Sequence, residues 1–238
     1  MVTFRRRSVA CLFALVLVAG CASTSVTNRQ VLVGNEKLPR PNRIWVYYFA
    51  ATPKDVPPDS AFAAQIAESN IMQSAEEVEA GRELGAEIAS ELVAQIKAMG
   101  LPAAHATRQT VPGISDLVIR GYLLSVDEGS ATKRVTIGFG AGASELKTAV
   151  EGYQMTATGL RKLGSGTVAS GGSKGPGAAA PATVAIASGN PIGLIVSGGM
   201  KIYGEASSSA KLEGRAKATA QEIAEQLKTR FEQQGWIK

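Results

Sequence analysis

The sequence predicts an α+β fold, with one mixed, largely antiparallel sheet covered by two long amphipathic helices. Three observations predict it. An aromatic, β-branched stretch, "RIWVYYFA" (Arg43 to Ala50), precedes a helix-period segment ending near Gly100. Alternating stretches then run from Asp116 to Ser170, and a second helix-period segment closes the chain.

The first residues belong to no part of that fold. Arg5, Arg6 and Arg7 precede the uncharged run "VACLFALVLVA", Val9 to Ala19. This is a basic n-region followed by an h-region of signal-peptide length. The run is shorter than the ~20 apolar residues a spanning helix needs. It ends in "LVAGC", Leu17 to Cys21, which resembles the bacterial lipobox. The resemblance implies cleavage between Gly20 and Cys21, diacylglycerol on the Cys21 thiol and acylation of the new amino terminus. The expected organisation is a signal peptide over 1–20, a lipidated N-terminus and tether over 21–42, and one periplasmic domain over 43–238. Ala22 follows the cysteine, where an aspartate would resemble an inner-membrane retention signal. The expected location is therefore the outer membrane, on its periplasmic face, with membrane lipid as partner through acylated Cys21.

Removing the signal also changes the charge argument. The chain has 25 basic and 20 acidic residues. Without Arg5, Arg6 and Arg7 the balance is 22 against 20, and no basic patch dense enough for nucleic acid remains. Cys11 leaves with the signal and Cys21 is alkylated, so neither forms a disulfide.

The elements of the mature chain follow in order. "ASTSVTNRQVLVGNEKLPRPN", Ala22 to Asn42, is polar with two prolines and is expected to be the tether. Arg43 to Ala50 is the first strand. Thr52 to Asp59 holds three prolines and is a loop. Ser74 with Glu77 makes a capping box, and Leu84, Ile88, Leu92 and Ile96 form a stripe at spacing four. Gly100 and Pro102 stop this helix. Gly81 and Gly85 inside it cost roughly 1 kcal/mol each against alanine, a cost that close packing on a neighbouring backbone offsets. His105 lies in the expected loop "LPAAHAT". "DLVIRGYLLSVDEG" (Asp116 to Gly129), "KRVTIGF" and "TAVEGYQMTATG" are the second, third and fourth strands. The fourth turns at "GLRKLGSG" and returns as "GTVAS".

Leu212, Ala216, Ala220, Ile223, Leu227 and Phe231 recur at helical spacing in the last helix, from about Ser208 to Gln234. Gly235 occupies its C′ position. Between hairpin and helix lies a Gly/Ala-rich insert at about 164–204, with 11 glycines in 41 residues.

The lipobox, "DLVIRGYLLSVDEGS", "RVTIGFGAGASELKTAVEGYQM", the small-residue insert and the ending "FEQQGWI" together resemble a bacterial outer-membrane lipoprotein family described as a domain of unknown function. The resemblance covers roughly Arg43 to Lys238. It implies a fold similar to the periplasmic domain of the curli-secretion lipoprotein. It carries no catalytic residues.

Three chemical possibilities are tested by the residues themselves. Gly138, Gly140 and Ala143 satisfy G-x-G-x-x-G/A after a strand. A dinucleotide site also needs a following helix and an acid about 20 residues on. Strand alternation instead resumes at Ala149, and position 160 is surrounded by Gly159, Arg161 and Lys162. Gly138, Gly140 and Gly142 are thus expected to shape a strand corner or an exposed docking surface. His105 is the single histidine, so a two-histidine zinc site is excluded. The runs "TVAIAS" and "PIGLIVS" fall short of the ~9–11 residues of a membrane β-strand, which disfavours a pore. The expected function is a non-catalytic binding or assembly accessory of the cell envelope, without cofactor, metal site or catalytic residues. Its expected partner is an envelope protein or a second copy of itself. The alternatives are an oligomeric secretion or pore subunit and a periplasmic hydrolase.

Overall fold

The computed structural model describes residues 24–60, 62–63, 73–127, 145–171 and 206–238. Six strands and two long helices occupy them. The strands are β1 (Thr24–Val31), β2 (Ile44–Tyr47), β3 (Ala103–Ala106), β4 (Leu117–Asp127), β5 (Glu145–Thr156) and β6 (Gly159–Gly171). The helices are α1 (Ala75–Ala98) and α2 (Ala206–Gln234). The six strands form one sheet in the order β1-β6-β5-β4-β2-β3.

The α+β class matches the sequence reading, but the sheet is mixed rather than largely antiparallel. β1 with β6, β6 with β5 and β5 with β4 are antiparallel, whereas β4 with β2 and β2 with β3 are parallel. The cause is α1. It carries the chain from β2 back to the same end of the sheet, so β3 must run alongside β2 in the same direction.

α1 starts and stops as its sequence dictates. Ser74 N donates to Glu77 Oε2 at 2.8 Å, and Glu77 N donates to Ser74 Oγ at 3.2 Å. Gly100 takes φ +80°, with its amide on Lys97 O and the Leu101 amide on Ile96 O. Leu84, Ile88, Leu92 and Ile96 are all buried. Gly85 explains itself: a Cβ there would sit 2.2 Å from Phe49 O, and Gly85 O accepts from Phe49 N at 3.2 Å. Gly121 on β4 lies under the same phenylalanine, with Phe49 Cδ1 2.2 Å from where a Cβ would be. Phe49 is therefore clamped between two glycines.

α2 packs beside α1 on the same face of the sheet. Ala216, Ala220, Ile223, Ala224 and Phe231 join Ile44, Val46, Ile119, Leu123, Leu146 and Val168 in the main core. Fully burying each large aliphatic side chain contributes about 1.5–3 kcal/mol. Gly235 takes φ +75° and the Trp236 amide returns to Phe231 O at 2.9 Å. The Trp236 ring lies 5.5 Å from that of Phe231, and its Nε1 donates to Leu38 O at 3.2 Å.

Three segments differ from expectation. Thr24–Val31, within the expected tether, is strand β1, paired antiparallel with β6. His105 belongs to edge strand β3, not a loop, and its ring lies 5.4 Å from that of Tyr48. "GLRKLGSG" is strand rather than turn: Thr156 pairs with Gly159, so Ala157 and Thr158 alone reverse the chain. Gly159 there takes φ +115°.

Candidate functional site

Two features of the sheet stand out, one on each face. The first begins with the alternation of β5. Leu146 and Val150 face the helices, while Ala149 joins Tyr122 and Leu124 in a smaller cluster on the opposite face. Glu151 shares that opposite face and is fully buried. Ser60 and Phe62 lie over it, with the Phe62 ring 5.5 Å from that of Tyr122.

Among the described residues, four donors surround the carboxylate. Glu151 Oε2 accepts from Ser60 Oγ, Tyr122 OH and Tyr153 OH, each at 2.8 Å. Glu151 Oε1 accepts from Lys162 Nζ at 2.7 Å. Burial alone would raise its pKa, but the bonds from Lys162, Tyr122, Ser60 and Tyr153 together hold it below the ordinary value. Burial, reinforced by the adjacent charge of Glu151, pushes both tyrosine hydroxyls up. Arg120 borders the cluster, bonded to both oxygens of Asp59 at 2.9 Å and lying 5.1 Å from the Tyr153 ring centroid. With its oxygens engaged from Ser60, Lys162 and two tyrosines, Glu151 is a latch that fastens the loop to the sheet.

The second feature is a half-open apolar cavity of about 190 Å³ between the sheet and α2. Its floor lacks side chains where Gly152, Gly164 and Gly166 fall, and Ile223, Leu227, Phe231 and Trp236 form its roof. A Cβ on Gly152 would meet nothing within 4 Å, so the space above it is empty. Gly164 is different. Its Cβ would lie 2.5 Å from Gln30 O, so glycine is what lets β1 close against β6. Arg29 and Arg230 also line the cavity. Arg29 Nη1 donates to Gln226 Oε1 at 2.9 Å, and Arg230 lies one helical turn beyond Gln226. Neither arginine is ion-paired among the described residues.

Cys21, Gly20, Gly138, Gly140 and Gly142, the residues singled out from sequence, lie outside the described residues, as do the strand expected at "KRVTIGF" and most of the Gly/Ala-rich insert. The residues that do converge were not singled out. Glu151 sits in "TAVEGYQM" as a lone acid with a tyrosine two positions on, the one local sign of a polar group on a strand face. Ser60 and Lys162 reach it only through loop placement and strand register. Among the described residues, no cluster of three or more His, Cys, Asp or Glu is placed to hold a metal, and no helix is long and apolar enough to cross a membrane.

A mixed sheet layered by two helices, with a latched loop on one face and an apolar cavity under the other, defines an α+β domain. The chain belongs to the family described as domain of unknown function DUF4410, whose model matches residues 44–189. Two solved structures similar to it are PelC dodecamers from Paraburkholderia phytofirmans, one of them a point variant. Each is 11% identical with a TM-score of 0.35, covering 84% of this chain and 94% or 95% of the other. No curated protein matches the chain.

Proposed function

We propose that this protein is a lipid-anchored, non-catalytic binding accessory of the bacterial cell envelope. Acylated Cys21 holds it at the periplasmic face of the outer membrane, and residues 1–20 are its removed signal. The structural observation that carries the binding role is the half-open apolar cavity under α2. The lipobox-like "LVAGC" supports the anchor. The saturation of Glu151 by internal donors supports a binding rather than a catalytic role. Its partner is an envelope protein or a second copy of the chain.

Metabolic labelling with an alkyne analogue of palmitate tests the anchor. Wild type incorporates label and sediments with membranes, and Cys21→Ser does neither. An unlabelled wild-type protein sinks the anchor. Crosslinking in native envelopes tests the accessory role: a defined envelope protein or a dimer band is expected, and recovery of neither counts against it.

A further inference from the structure

We propose that the cavity under α2 binds a single-chain fatty acid, with its carboxylate between Arg29 and Arg230 and its chain over Gly152 and Gly166. This deepens the binding role proposed above and does not depend on acylation of Cys21.

The chemistry of the lining selects the tail. Val26, Leu163, Val168, Leu227 and Phe231 offer no hydrogen bonds, so a polar ligand would lose its hydration without compensation. Size selects one chain. An apolar cavity of about 150 Å³ stays dry and takes up a molecule as large as benzene. At about 190 Å³ this cavity admits the end of one alkyl chain, not two.

Charge selects the head. Arg29 and Arg230 line the same cavity, Arg29 bonded to Gln226 Oε1 and Arg230 to Gln233 Oε1, and neither is ion-paired among the described residues. Burial and the neighbouring charge of Arg29 push the Arg230 guanidinium below its ordinary pKa. An anion between the two relieves that repulsion, and a guanidinium pair suits a carboxylate.

Gly152 supplies the decisive variant. A side chain there enters the cavity without meeting any atom within 4 Å of its Cβ. Gly152→Leu therefore fills the site while leaving the fold intact.

The test uses the full-length protein on phosphatidylcholine vesicles, photolabelled with a diazirine-bearing decanoic acid. Label is expected on peptides from β6 and α2, displaced by decanoate and not by decyltrimethylammonium. Gly152→Leu should cut labelling at least tenfold without lowering the thermal unfolding midpoint. Arg29→Glu with Arg230→Glu should weaken decanoate about tenfold and leave decanol unchanged. Labelling that survives Gly152→Leu in full overturns the site, and equal displacement by decanoate, decanol and decyltrimethylammonium overturns the carboxylate assignment. Absence of any label overturns the proposal, whether the cavity is empty or filled by the chain's own insert. Loss of palmitate incorporation with decanoic-acid labelling intact would remove the anchor alone.

Discussion

Glu151 fastens the loop at Ser60 to one face of the sheet. Glu151→Ala leaves Lys162 without its carboxylate and three hydroxyls without an acceptor, so it should cost about 3–5 kcal/mol in urea unfolding. The sign of the pH dependence follows from the direction of the shift. The folded pKa of Glu151 lies below its ordinary value of 4.5, so the latch contributes fully above that value. The contribution is lost as pH falls through the folded pKa, at up to ~1.4 kcal/mol per pH unit. Glu151→Gln should flatten that acid limb. Tyr122 and Tyr153 act at the other end. Their pKa values are raised above 10, so stability is whole below pH 10 and declines as pH rises beyond it. Replacing both with phenylalanine should remove that alkaline decline. Stability curves showing neither limb would contradict the latch. None of this was visible along the chain, because Ser60 and Lys162 stand 91 and 11 residues from Glu151 and meet it only through register.

Among the elements, the helices were legible and the strands only in part. α1 and α2 announce themselves through caps and spacing, which act within a few residues. β1 and β3 did not, because a strand at either edge of the sheet is defined by its neighbour rather than by its own composition. The glycines of β6 imitate a turn, yet Gly164 serves the close approach of β1. Helix α1 supplies the clearest contest between local and non-local effects. Alanine in place of Gly85 improves intrinsic helix propensity by about 1 kcal/mol. It also forces a methyl into the Phe49 carbonyl. The clash wins, and Gly85→Ala should lower stability by about 2–4 kcal/mol in denaturant titration, against a gain if propensity governed. Gly214 on α2 meets nothing within 4 Å, so Gly214→Ala should instead stabilise by up to ~1 kcal/mol.

For the whole molecule, the sequence conveyed class and layering but did not show the strand at Thr24–Val31. A polar stretch with two prolines suggested a spacer, whereas its first half pairs with β6 from Thr24 onward. With the acyl anchor proposed at Cys21, only Ala22 and Ser23 lie between lipid and sheet. At ~3.3–3.6 Å per residue that gap is at most about 11 Å. On such an anchor the protein would stand on a short leash, its outer strand held within about 11 Å of the lipidated cysteine. Inserting ten Gly/Ser residues after Ser23 should leave thermal unfolding unchanged and weaken envelope crosslinks, since a longer flexible linker lowers the effective concentration of the domain at its partner.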